Sequence, residues 1–125
     1  MIDFTNKSII KLKPIGNDEG EKTVSDLLIL DEDVMFAFSS MRDKLIFTNK
    51  RIISVNVQGV TGKKKDYTSI PYSKIQVFSI ETAGTLDLDS ELDVTISGLG
   101  TVRFELSAQT DIKRLGQTIS NYILN

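Results

Sequence analysis

The sequence predicts a mainly β fold closed by a C-terminal α-helix, and three patterns carry that expectation. Residues 92–97 and 101–106 alternate apolar and polar side chains across Gly98-Leu99-Gly100, the mark of a hairpin with one face in a core and one in water. About seven short, strand-like runs, several of them β-branched or aromatic, follow at close spacing between Val34 and Leu106. Ile112, Leu115, Ile119, Tyr122 and Ile123 then recur on one stripe at helical period. That order suggests a strongly bent antiparallel sheet, or a small partly open barrel, with the helix closing an open end.

The first thirty residues read as an N-terminal extension to a domain running from 31 to 125. Ser8 to Ile15 alternates enough to be extended, and Asn17-Asp18-Glu19-Gly20 reads as a flexible joint. Glu21 to Leu30 offers Val24, Leu27 and Leu28 to a short helix. Phe4-Thr5-Asn6-Lys7-Ser8-Ile9-Ile10 nearly repeats Phe47-Thr48-Asn49-Lys50-Arg51-Ile52-Ile53. A solenoid needs several stacked copies, so either one turn-then-strand recipe is used twice or the N-terminal segment is a strand that pairs with a sheet edge.

Downstream, Val34, Phe36 and Phe38 alternate with Met35, Ala37 and Ser39. Lys44 to Thr48 and Arg51 to Val57 flank Asn49-Lys50, while Lys64 to Ile70 and Ile75 to Thr82 flank the turn signal Pro71-Tyr72-Ser73. The final helix is expected from about Thr110 to Leu124, with Thr110 as N-cap and Asp111 placed to favour the helix dipole. Gly116 falls on the apolar face and reads as room for close helix–sheet contact.

The chain has the length of one domain, 125 residues, with a formal net charge of −2, no Cys and no His. So small a charge offers no field to draw in a polyanion, which argues against nucleic acid as a partner. Without Cys there is no disulfide framework and no thiol nucleophile; without His the usual general base and the commonest zinc ligand are missing. No apolar run is long enough for a membrane-spanning helix and the start lacks a signal-peptide pattern, so the cytoplasm is the expected compartment.

Two charge constellations stand out. Asp87, Asp89, Glu91 and Asp93 alternate with Leu88, Leu92 and Val94, so in a strand all four carboxylates would share one face. Such oxygens suit Ca²⁺ or Mg²⁺, but the EF-hand spacing is absent and a solvated or interface-facing strand is the preferred reading. Arg42 and Lys44 in one loop and Lys63-Lys64-Lys65 in another are the candidate anion-binding residues. Against that, the lysines also keep a sheet edge soluble, and no Gly-rich loop feeds a helix as a nucleotide cradle would. No catalytic residue, metal ligand or cofactor is expected.

The words Arg42-Asp43, Phe47-Thr48-Asn49-Lys50-Arg51-Ile52-Ile53 and Gln58-Gly59-Val60-Thr61-Gly62-Lys63-Lys64 continue as Ser69-Ile70-Pro71-Tyr72-Ser73-Lys74-Ile75, Glu81-Thr82-Ala83-Gly84 and Asp87-Leu88-Asp89-Ser90-Glu91-Leu92. Together, over Asp31 to Leu124, they make the chain resemble the bacterial pleckstrin-homology (PH-like) family. The resemblance implies two nearly orthogonal antiparallel sheets capped by a C-terminal helix, no enzymatic activity, and ring-like homo-oligomers with a pentamer favoured. Eukaryotic PH domains usually carry a Trp in that helix; here Tyr122 or Ile119 is expected to fill its space.

The strand patterns point independently to assembly. Apolar residues on both faces, as at Val34 to Phe38 and Ile75 to Ile80, need a second cover besides the core. A neighbouring subunit or the N-terminal segment would supply it. Met35, Ala37 and Met41 are the outward apolar side chains expected at a contact between copies. The leading expectation is a non-enzymatic scaffold or binding module that self-associates; the alternative is a peripheral binder of anionic membrane through its basic loops.

Overall fold

Strands β1 (Lys7–Ile15), β2 (Val34–Ser39), β3 (Asp43–Thr48), β4 (Arg51–Gln58), β5 (Lys64–Pro71), β6 (Ile75–Glu81), β7 (Ser90–Ile96) and β8 (Gly100–Leu106) are accompanied by helices α1 (Asn17–Val24) and α2 (Ile112–Ile123). In this computed structural model, which describes residues 1–5 and 7–125, the strands form one sheet in the order β5-β4-β3-β2-β1-β8-β7-β6. The sheet curls into a half-barrel of the PH-like kind, with α2 at its C-terminal end. Asn6, a member of the sequence echo, lies outside the described residues, as does the Lys7 side chain.

The N-terminal strand takes the middle of the sheet rather than an edge. Its end, Lys13 to Ile15, pairs antiparallel with β2, and its start, Lys7 to Ile9, pairs parallel with β8. Register shifts between Ile9 and Leu12, and Lys11 adopts a left-handed φ of 59°. A bulge of this kind bends a strand and re-aims its side chains, which lets one strand serve both halves of the curl. The other pairings are antiparallel.

The main core lies inside the curl, where Phe38, Phe47, Ile52, Leu92, Val94 and Phe104 meet Leu115 and Ile119 of α2. Phe47 packs edge-on against Phe38, with ring centres 5.9 Å apart. Gly116 brings α2 close to the sheet, since a Cβ there would lie 3.2 Å from the Ile80 side chain. Tyr122 takes space beside this core by stacking on buried Tyr72 at 5.6 Å, and the Tyr72 hydroxyl donates to the Thr48 carbonyl at 2.7 Å. Burial, then the nearby Tyr122 and Glu32, push the Tyr72 phenol well above its ordinary range.

A second, smaller core sits on the opposite face of β2 to β4. Ala37, Ile46, Ile53 and Val55 pack there under Val24, with Ile15, Leu28 and Val34 at its margin. The cover is α1, which corrects two sequence expectations. Residues 17–20 are helix rather than a flexible joint, because Gly20 turns its bare face onto Ala37, where a Cβ would come within 2.5 Å. Ala37 is therefore buried, not outward. A register shift between Val34 and Phe36 also breaks the expected alternation. Val34 joins Ala37 beside α1, Phe36 packs on the main core, and the Met35 sulfur accepts from the Tyr122 hydroxyl at 3.3 Å.

Two smaller expectations also shift. Asp111, not Thr110, caps α2: its Oδ1 accepts from the Arg114 N–H at 3.1 Å. Asp87 and Asp89 precede β7 in a loop, so only Glu91 and Asp93 of the acidic run are strand residues.

A buried ion pair ties the segment before β2 to the β3–β4 turn. Arg51 donates to both oxygens of Glu32, at 2.9 Å each, while the Thr48 hydroxyl at 2.7 Å and the Ile29 N–H at 3.1 Å satisfy the rest. Burial alone raises the Glu32 carboxyl, but the Arg51 fork and these donors outweigh it and hold the group below its ordinary value.

Candidate functional site

The half-barrel brings most of the predicted basic residues to one end. Register pairs Asp43 with Asn56 and Gln58 with Lys64, so the β2–β3 turn holding Arg42 lies beside the β4–β5 loop holding Lys63. Arg42 is already engaged: its Nη1 donates to the carbonyls of Gly59 at 3.1 Å and Val57 at 3.4 Å, fastening the two loops together. Lys63, Lys64 and Lys65 are exposed. Lys44 stands further in, half-buried, opposite Ser39 and Val55. Among the described residues none of these four lysines is in an ion pair. Lys13, which sequence reasoning did not single out, enters the same row through Ser39. Only pairing across β1 could reveal it, because Lys13 and Lys44 are far apart in sequence.

The residues of the acidic run lie on the other half, with Glu81 and Glu105 beside them. Cross-strand pairing aligns Glu81, Glu91 and Glu105, with Asp93 and Arg103 in the next row. Arg103 clamps Asp93 with two bonds of 2.8 and 2.9 Å and reaches Glu91 at 3.0 Å. A guanidinium thus stands among the carboxylates. Burial, only partly offset by Arg103, raises the Glu91 carboxyl, and burial with a hydrogen bond to Asp89 raises that of Glu105.

The two edges of the sheet, β5 and β6, differ in chemistry. The β5 edge carries Lys64, Lys65, Asp66 and Pro71, and residues 1–4 run alongside it: the Ile2 N–H donates to the Thr68 hydroxyl at 2.9 Å. Phe4 is buried there, and Gly100, with φ of 129°, is required at the crossing because any Cβ would collide with the Phe4 carbonyl. By contrast, β6 runs Ile75-Gln76-Val77-Phe78-Ser79-Ile80 with no charge before Glu81, and Val77 is 57% exposed. Leu86 and Leu88 are exposed in the following loop. Of the expected contact residues, Met41 stands free at the β2–β3 turn, 98% exposed, whereas Met35 and Ala37 are packed within the chain.

Among the described residues no helix is long and apolar enough to cross a membrane. A family model described as "Bacterial PH domain" matches residues 3–123. The fold is similar to that of a DUF1696 family protein with a pleckstrin-homology domain from Shewanella loihica, at 38% identity and a TM-score of 0.80, covering 92% of this chain and 99% of that one. It is also similar to a pleckstrin homology domain from Shewanella amazonensis, at 40% identity and a TM-score of 0.67, covering 89% and 90%. The uncharacterized protein YjqA of Bacillus subtilis is 50% identical over 78 residues, which span 62% of this chain and 62% of that protein.

Proposed function

We propose that this chain, a member of the bacterial PH domain family, is a non-catalytic binding module that associates with copies of itself through the β6 edge. PH domains are generally non-catalytic binding modules. The observation that carries the self-association is the bare edge. An unpaired strand without Lys, Pro or a covering segment is a template for another chain, and β6 has none of these guards. A strand added antiparallel to β6 would place its start opposite Glu81, and β5 starts with Lys64 and Lys65. Two β5 edges would repel each other, and residues 1–4 already flank β5 at Thr68, so a contact between unlike edges would fall on the start of β5, where Lys64 and Lys65 would face Glu81. Such a contact, repeated, closes a ring, and a pentamer is the size that the resemblance favours.

This reading moves the contact away from Met35 and Ala37, which α2 and α1 already engage, and leaves Met41 as the control. Light scattering should give the unmodified chain a mass above that of a monomer. Val77→Lys combined with Ser79→Lys should lower the mass while the circular dichroism stays β-like, and Met41→Lys should leave it unchanged. A monomeric unmodified chain at micromolar concentration rejects self-association; a mass lowered by Met41→Lys alone relocates the contact to the β2–β3 turn.

A second reading rests on the lysines at the β4–β5 end that make no ion pair among the described residues. There the module would hold an anionic membrane surface, on the cytoplasmic side, through Lys63, Lys64 and Lys65 with Lys44 behind them and Arg42 bracing the loops. Vesicle association should then weaken with salt and fall when the three loop lysines become Gln. Absence of binding at low salt ends this reading.

A further inference from the structure

A cavity of about 380 Å³ opens at the corner where residues 1–4, the end of β5, the 3-10 turn Tyr72–Lys74 and the β7–β8 turn converge. Its walls are largely apolar, formed by Phe4, Ile70, Pro71, Ile96 and Leu99. Lys74 is the one charged side chain in the lining, and among the described residues it makes no ion pair. Ser69 and Ser97 add hydroxyls.

Several features make this more than a packing fault. The volume is in the range of small-molecule sites, which are mostly apolar with a few polar groups that set orientation. The walls are held in place from behind: Ile70 is buried in the main core, and Phe4 is seated against Gly100, where no other residue fits. Leu99 is half-exposed at the tip of the β7–β8 turn, so part of the apolar surface remains open to a visitor. The corner lies at the end of β5 away from the Lys63–Lys65 loop, so the membrane reading does not account for it.

We propose that this corner binds the alkyl chain of a medium-chain fatty carboxylate, with the carboxylate held by Lys74. Charge selects this occupant. Lys74 is exposed and hydrated without a ligand, so a neutral chain would gain only apolar contact, a carboxylate adds an ion pair, and a cationic amphiphile would set two positive charges together. A carboxylate pairs with the ammonium while its second oxygen accepts from a nearby serine hydroxyl.

Decanoate, kept below its micelle concentration, is the probe, and the methyl resonances of Ile70, Ile96 and Leu99 are the readout. Saturable shifts at these three residues are expected, with decyltrimethylammonium binding at least tenfold more weakly. Lys74→Gln, a change at an exposed position that leaves the fold intact, should weaken decanoate about fivefold, the upper range for a partly exposed ion pair. It should not weaken the cation. Ser97→Phe should fill the mouth and remove the shifts without lowering the melting temperature. Repeating the titration on Val77→Lys with Ser79→Lys separates this site from self-association: binding should persist there. Shifts confined to other residues, equal affinity for both amphiphiles, or no effect of Lys74→Gln would overturn the assignment. So would binding that disappears with the edge variant, which would give the corner to a second copy of the chain.

Discussion

Strands β3 and β4 bury four consecutive residues each, whereas β7 and β8 bury every second one. The difference separates the two halves of the sheet. In the β2–β5 half, the central strands are apolar on both faces, because the main core lies on one side and α1 covers the other. The β6–β8 half has one covered face; its outer face holds Thr95, Thr101, Asp93, Arg103 and Glu91 against solvent. Apolar residues on both faces of a strand therefore required a second cover, but one supplied by the chain itself. The edge proposed for self-association, β6, belongs to the half that has no second layer.

The largest effect should come from the layer both halves share. Leu115 is fully buried where α2 meets the main core, so Leu115→Ala should cost about 2–5 kcal/mol in chemical denaturation. A loss within error would mean that α2 does not dock.

The ion pairs sharpen the contrast between halves. Glu32→Gln breaks a carboxylate whose side chain is fully enclosed, and about 3 kcal/mol is expected, the lower end for a buried pair because Arg51 still touches water. Asp93→Asn, in the solvent-facing clamp of Arg103, should leave the unfolding midpoint near that of the unmodified chain, since partly exposed pairs are screened. Equal losses would erase the distinction.

The two helix glycines test how tightly each cover sits. Gly20→Ala drives a Cβ to within 2.5 Å of the Ala37 Cβ, and overpacking of that kind should cost about 1–3 kcal/mol. Gly116→Ala meets the Ile80 side chain at 3.2 Å (Cδ1) and 3.3 Å (Cγ2), a milder crowding than at Gly20, and alanine favours the helix by about 1 kcal/mol, so the net change should be small. Thermal melts of the two variants rank them directly.

The smallest effect is a difference in sign with pH. The Glu32 carboxyl is held below its ordinary value of 4.5, so its contribution is present above that pH and is lost as pH falls through the folded value. The Glu105 carboxyl is raised from the same ordinary value, so it destabilises the fold increasingly as pH rises from there through the folded value. Melting temperatures from neutral to acid pH should show Glu105→Gln gaining at neutral pH and Glu32→Gln losing, with both differences shrinking in acid. Gains or losses of one sign for both would remove the contrast.

Legibility followed the same division. The hairpin of β7 and β8 could be read directly because alternation over Leu92–Ile96 and Val102–Leu106 reports one buried face, and the stripe from Ile112 to Ile119 reports one face of a helix. The family words between Arg42 and Leu92 identified the PH-like architecture. Around Val34 to Ala37 the reading slipped, because a bulge resets the phase and period-two patterns cannot register it. Of the surface features, the Lys63–Lys65 run was visible as a run, while Lys13 in one row with Lys44 across Ser39, the bare β6 edge and the Lys74 corner were not.

By itself, then, the sequence determined the kinds of element, the hairpin partners and the helix that closes the curl, since these depend on periodicity and turn chemistry within a few residues. Only the tertiary structure decided that β1 lies at the centre, that Gly20 marks a contact rather than a joint, and that β6 is left unguarded. Those outcomes depend on which distant strands meet. Pairing of β1 with β8, close to a hundred residues along the chain, is set by the burial of the whole curl and leaves no local signature.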